Sequence, residues 1–397
     1  MVFNYLLPYT NLIFGEGSLK SLGSETKKMG KSALLVTGRS SMEKLGFLDQ
    51  ALRLLKKEDI EVFHYNKVLP NPTVEIVDEG ARLALEKNCQ VIIGMGGGSA
   101  MDTAKAIAVV AGHSKERILS IWEFSPALEN PLPITEAALP VVAITSTSGT
   151  GSHVTRYAVV SNPETSEKPG FASEYMYPRL SIVDLNIVKT MPPELTARTG
   201  FDTLAHVLEA FISRKSNPIT DLYCLKAIEL VTKYLPLAYQ RQDDMEARYS
   251  MALADTYGGW AITAATAALP HAMSHPISGY YPDIDHGVAL AAISATIMEF
   301  NIENGDQKTI QKYCQIAKAM GKQVKEYSKK EAKKSIEALK ELCDKIGLTV
   351  SLGKLGVDRN KIPEMTKGVF RTMRRGVENN PVPVTESDVE SLYNKSL

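Results

Sequence analysis

At 397 residues the chain is too long for one ordinary hydrophobic core, so two domains are expected. Lys+Arg and Asp+Glu both number 45, and a formal charge of zero argues against a dedicated binder of nucleic acid or of an anionic membrane, which would carry a basic excess. No apolar run approaches the roughly 20 residues that span a bilayer. The four cysteines (Cys89, Cys224, Cys314, Cys343) stand far apart without a CxxC pair and read as reduced, buried thiols of a cytoplasmic protein.

Met1 to Pro8 has no basic residues before its apolar ones, so no signal peptide is expected there. From about residue 30, short β-branched runs alternate with helical patterns. Ala33–Thr37, Glu61–Tyr65, Val91–Gly94 and Pro140–Ile144 read as strands. Residues 43–57, 73–86 (Thr73 as N-cap) and 100–111 read as helices. Near-continuous apolar strands separated by helices predict a parallel sheet covered on both faces.

Val91–Gly94 runs into Met95-Gly96-Gly97-Gly98-Ser99 and then a helix. Glycine lets a backbone approach a ligand closely, and an opening helix aims unpaired N–H groups at an anion. A phosphate-binding turn is therefore expected here, although the spacing departs from the usual GxGxxG with a distant acid. Thr145-Ser146-Thr147-Ser148-Gly149-Thr150-Gly151-Ser152 follows the next strand and suits a loop around an oxygen-rich ligand. The first strand ends Thr37-Gly38-Arg39-Ser40-Ser41. A carboxylate in that region would repel a ribose 2′-phosphate. Gly38 leaves space and Arg39 offers a cationic donor, so NADP is favoured over NAD.

Strand signals fade after Leu180–Asp184. From Pro193 the pattern is helix after helix: about 193–213, 219–240, 245–267, 287–303, 308–320, 329–346 and 360–374. The expected division is an α/β, dinucleotide-binding domain over 1–190 and an all-helical, metal-binding domain over 191–397. The lysine-rich stretch from 322 to 340 reads as the wet face of surface helices. Three of the chain's seven histidines, His271, His275 and His286, fall within sixteen residues, and Asp202 and His206 form an i, i+4 pair upstream. A carboxylate and several imidazoles on two helices and a turn could close around a divalent cation.

Taken together, these motifs resemble the iron-containing (group III) alcohol dehydrogenases through most of the chain. The shared features are Asn71-Pro72-Thr73, Gly96-Gly97-Gly98-Ser99 with Asp102 and Lys105, Ser146-Thr147-Ser148-Gly149-Thr150, the Asp/His pattern, and Asn380-Pro381 with Val384-Thr385. The resemblance implies Asp202, His206, His271 and His286 as metal ligands, with Fe(II) ahead of Zn(II). It makes His275 a non-ligand near nicotinamide and substrate that can pass protons. It places Asn71, Gly97, Gly98, Ser99, Asp102, Ser146, Thr147, Thr150, Thr155, Val159 and Lys168 beside the dinucleotide, in addition to Gly38 and Arg39. The implied activity is hydride transfer between NAD(P)(H) and a small alcohol or aldehyde in an interdomain cleft, by a homodimer. The alternative is a polyol dehydrogenase or a redox-neutral, dehydroquinate-synthase-like relative. Two departures stand out: the His275–His286 interval is one residue longer than in many members, which makes Asp285 a rival ligand, and His153 stands where an acid is common.

Overall fold

The computed structural model describes residues 9–397, so the N-terminal reading at Met1–Pro8 lies outside the described residues. The chain divides into two compact units, one ending at Met191 and the other beginning at Pro192.

Among the described residues the first unit has eight strands: β1 Asn11–Phe14, β2 Ser32–Gly38, β3 Glu61–Val68, β4 Val91–Gly96, β5 Val141–Thr145, β6 Tyr157–Val159, β7 Gly170–Ala172 and β8 Leu180–Val183. Six form one sheet in the order β1-β8-β5-β4-β2-β3. Every pairing within it is parallel. The remaining two, β6 and β7, make a short antiparallel hairpin. Every residue of β4, β5 and β8 is buried, which explains their largely apolar sequence. Alternate side chains serve opposite faces. Leu34, Val36 and Ile92 enter one core with the helix Gly98–His113, and Ala33, Leu35, Val91 and Ile93 enter another. Each such leucine or isoleucine stabilises the fold by roughly 1.5–3 kcal/mol through burial.

The second unit contains no strand among the described residues. Helices Pro193–Ile212, Pro218–Gln240 and Met245–Ala265 share one core, and Leu269–Tyr280 and His286–Asn304 contribute to a second. The four cysteines are buried and unbridged. No helix among the described residues is long and apolar enough to cross a membrane.

Three expected helices are interrupted. Residues 43–57 form Ser41–Lys44 and Phe47–Lys57, parted at Gly46 with φ +76°. Residues 329–346 form Lys329–Ala332 and Lys334–Lys345. The pattern over 360–374 gives Ile362–Thr372 and then Arg374–Asn379. Thr73 does stand at an N-cap position, with an extended backbone, but its side chain makes no capping bond.

Candidate functional site

Helix Pro193–Ile212 opens with proline in its first turn, where the missing N–H costs nothing, and is buried throughout from Gly200 onward. It carries Asp202 and His206 one turn apart. Helix Leu269–Tyr280 carries His271 and His275, and His286 is the first residue of the next helix. Gly287 explains how that last helix comes so close. A Cβ there would stand 2.0 Å from the Arg198 carbonyl oxygen, so only glycine permits the approach. Asp285, the rival ligand, is engaged by the Arg198 guanidinium in an ion pair.

Three imidazoles gather on one carboxylate oxygen. Asp202 Oδ1 lies 3.8 Å from His206 Nε2, 3.3 Å from His271 Nε2 and 3.8 Å from His286 Nε2. Candidate ligand atoms of Asp202, His271 and His286 all fall within 4.8 Å of one another. His206 joins them by stacking on His271, with ring centroids 4.4 Å apart. His275 presents its ring to His286 edge-on at 5.4 Å and, like His206, is outside the group of three whose ligand atoms lie closest together. The His286 side chain is 25% exposed, which gives the otherwise buried cluster a solvent-facing side.

Sequence reasoning missed Glu209. It is fully buried three residues beyond His206, and its Oε1 lies 2.6 Å from His271 Nδ1. Its only sequence signal was a carboxylate on the apolar face of an otherwise buried helix. Burial disfavours a charged His271, but Glu209 and Asp202 outweigh it and raise the imidazole to about 10. Burial likewise works against a charged Asp202, yet His206, His271 and His286 hold its carboxyl well below the usual range. Both directions report a pocket whose field favours positive charge. Asp202 Oδ1 and His271 Nε2 are buried and make no hydrogen bond. Such orphaned atoms, 3.3 Å apart, have the spacing of two neighbouring ligands of one bound metal.

The first unit gathers its own residues. Gly96 pairs with Thr145 and Met95 with Thr37, so the loops after β2, β4 and β5 leave the sheet side by side at its C-terminal edge. Gly97 is the N-cap of helix Gly98–His113. A Cβ on Gly98 would stand 2.6 Å from Thr150 Cγ2, so the glycine turn and the hydroxyl-rich loop touch. Gly97, Gly98, Ser99, Ser146 and Thr150 remain partly exposed, and Thr147 and Thr155 are buried. Gly38 has only the Val68 carbonyl, at 3.9 Å, near its missing Cβ, and Arg39 is exposed. Lys168 Nζ donates to Asn71 Oδ1 at 2.8 Å.

Asp102 is engaged by protein donors. It accepts the Ser152 hydroxyl at 2.5 Å and the Val159 N–H at 3.0 Å. Lys105, completely buried, donates to Ser152 Oγ at 2.8 Å and to the Tyr157 carbonyl at 2.7 Å. Burial pulls the Lys105 ammonium down to about 8, with Asp102 opposing. His153 beside them is held neutral, its pKa lowered to about 3 by burial and by Lys105. This knot shapes the turn that ends in β6.

A parallel sheet with a glycine turn at its strand ends, followed by a helical unit holding a carboxylate–imidazole cluster, defines a class: enzymes that pair a nucleotide with a metal. The comparisons with known proteins are narrower. The iron-containing alcohol dehydrogenase profile matches residues 9–185, and the C-terminal profile of the Fe-containing alcohol dehydrogenase family matches residues 196–397. The chain is 34% identical to a choline dehydrogenase of Bacillus subtilis, over 96% of this chain and 92% of that one. It is 32% identical to a 1,3-propanediol dehydrogenase of Klebsiella pneumoniae, over 100% and 99%. Among solved structures, an archaeal halo-thermophilic alcohol dehydrogenase from a Red Sea brine pool superposes with a TM-score of 0.98 at 50% identity, covering 100% of this chain and 99% of that one. The chain belongs to the iron-containing alcohol dehydrogenase family and is an oxidoreductase acting on alcohols.

Proposed function

We propose that the chain moves a hydride between NADP(H), preferred over NAD(H), and a small alcohol or aldehyde, beside an Fe(II) or Zn(II) ion held by Asp202, His206, His271 and His286. The convergence of three imidazole nitrogens on Asp202 Oδ1 carries this reading. A single shared proton could satisfy one of those contacts but not three. When bound, the cation stabilises developing alkoxide charge as a Lewis acid and the nicotinamide takes or returns the hydride.

The chain's own residues supply the rest. His271 offers Nε2 inward because Glu209 takes its Nδ1 side. His275, next to the cluster without joining it, accepts the hydroxyl proton as alcohol becomes aldehyde and returns it in reverse. The N-terminal end of helix Gly98–His113, with Gly97, Gly98 and Ser99, suits a pyrophosphate, and Ser146, Thr147 and Thr150 supply hydroxyls beside it. Asn71 and Lys168 form a linked polar pair for the same ligand, and Thr155 and Val159 border the turn. Asp102 acts indirectly, by holding Ser152 and Val159. Gly38 and Arg39 receive the 2′-phosphate.

The test is a steady-state screen of small alcohols and aldehydes with both nicotinamide cofactors, on protein reconstituted separately with Fe(II) and Zn(II). A change in nicotinamide absorbance with simple monoalcohols is expected. Turnover confined to polyols would favour the polyol alternative, and no absorbance change with any substrate would favour a redox-neutral relative or a non-catalytic binding protein. The same reading carries a homodimer, as the family resemblance implies, in the cytoplasm, which four buried unbridged thiols suit. A monomer by light scattering would overturn the former.

A further inference from the structure

The strongest unassigned group is Glu209, and its carboxylate does two things at once. Oε2 accepts the Ala268 N–H at 2.7 Å and the His271 N–H at 3.2 Å. Ala268 is the N-cap of helix Leu269–Tyr280, and Pro270 has no N–H to offer. Glu209 therefore caps this helix from a neighbouring one, placing negative charge at its positive end. The other oxygen, Oε1, lies 2.6 Å from His271 Nδ1. Two backbone donors fix the carboxylate, and the fixed carboxylate fixes the imidazole.

We infer that Glu209 is the positioning residue of the metal centre, clamping His271 in the Nδ1–H tautomer with Nε2 toward Asp202. This rests on the metal reading above. The clamp is held from behind. Thr266 adopts φ +57° and ψ +161°, a positive-φ conformation that costs a β-branched residue energy. Asn379 holds that turn: Nδ2 donates to the Ala265 carbonyl at 2.9 Å, to the Ala267 carbonyl at 3.2 Å and to Thr266 Oγ1. The turn delivers the Ala268 N–H to Glu209. A chain of contacts thus runs from Asn379 through residues 265–268 and Glu209 to His271. Ligand imidazoles are commonly oriented by such a carboxylate, and losing it costs roughly 10–100-fold in metal affinity.

Glu209→Gln separates the two roles. The two backbone N–H groups need an oxygen, so the amide oxygen stays with them and the NH2 turns to His271. A donor facing Nδ1 forces the Nε2–H tautomer, which must be given up before Nε2 can bind a cation. The full chain, stripped of metal, would be titrated with Co(II) and Zn(II) against a chelator of known affinity, recording the Co(II) visible spectrum. We expect Kd to rise about 10–100-fold in Glu209→Gln, with shifted Co(II) bands. Wild-type affinity and spectrum in Glu209→Gln would overturn the inference. Failure of wild type to bind either metal tightly, or full binding by Asp202→Ala, would instead bring down the metal reading itself. Should Glu209→Gln not fold, 15N shifts of histidine-labelled, Zn-loaded wild type decide: His271 must carry its proton on Nδ1, and a protonated Nε2 refutes the clamp.

Discussion

The two units build their candidate sites from opposite materials. In the first unit the candidate surface is largely backbone, with hydroxyl, amide and cationic side chains beside it: glycines at strand ends, a helix N-terminus, and a neighbouring loop pressed against Gly98 so closely that a methyl group would not fit. In the second unit it is side chain: one carboxylate, three imidazoles and a buried glutamate behind them. A backbone site is protected by what is missing, so adding atoms damages it. A side-chain site depends on what is present, so removing atoms damages it. The sites should therefore fail under opposite kinds of mutation.

The largest break should come from His271→Ala. It removes the imidazole that two carboxylates address, so metal affinity should fall by more than the roughly 10–100-fold typical of an outer orienting group. Turnover should vanish with the metal, while NADPH binding by the folded protein should persist. Metal analysis with a fluorescence titration of NADPH checks both halves. Full stoichiometric metal in this variant would refute the ligand assignment.

His275→Ala should divide the second unit's site internally. The family resemblance makes the residue a non-ligand, so the metal should stay while turnover drops by about 10²–10⁴, the usual worth of a positioned proton-transfer group. Metal loss with His271 intact would make His275 a ligand.

Gly98→Ala is the complementary test in the first unit. The new Cβ would stand 2.6 Å from Thr150 Cγ2 and 2.9 Å from its Oγ1. Relieving such overpacking costs about 1–3 kcal/mol, roughly 5- to 150-fold in dinucleotide affinity if the turn itself gives way. Metal content should not change. A Gly98→Ala protein with unaltered NADPH affinity would show that the turn does not hold the cofactor.

How much of this was legible in the sequence follows the same division. The central strands were readable because β4, β5 and β8 are buried on both faces and so stay largely apolar. Strand β1 was not, since its four residues sit at the sheet edge and none is fully buried. The hairpin strands are three residues each, too short for periodicity to register. Helix Leu269–Tyr280 falls between the expected helices 245–267 and 287–303 and contains Pro270 and Pro276; the first proline lies in the opening turn, where it is tolerated. At the site, the histidine spacings and Asp202 were visible as local patterns. Glu209 was not, because what marks it is a partner 62 residues away. Gly287 likewise acquires meaning only through the Arg198 carbonyl it lies against.

The smallest expected effect concerns cofactor choice, and there a substitution in the first unit should change preference without blocking the site. Gly38 ends β2, its neighbour Arg39 is exposed, and the nearest atom to a built Cβ is 3.9 Å away. Gly38→Asp can therefore be accommodated without the clash predicted for Gly98→Ala. A carboxylate at that strand end bonds a ribose 2′-hydroxyl and repels a 2′-phosphate, whereas an arginine nearby forms charge-assisted bonds to the phosphate. One such contact, at about 1.5–3 kcal/mol, corresponds to roughly ten- to hundredfold in kcat/KM. Wild type should accordingly favour NADPH over NADH by at least about tenfold, and Gly38→Asp should erase or reverse that ratio with metal content unchanged. Added salt should shrink the wild-type preference, because the phosphate contact is exposed and screened. If wild type prefers NADH, Arg39 points into solvent and Gly38 only eases the turn after β2. If wild type prefers NADPH and Gly38→Asp leaves the ratio untouched, the 2′-phosphate is read at another part of the sheet edge.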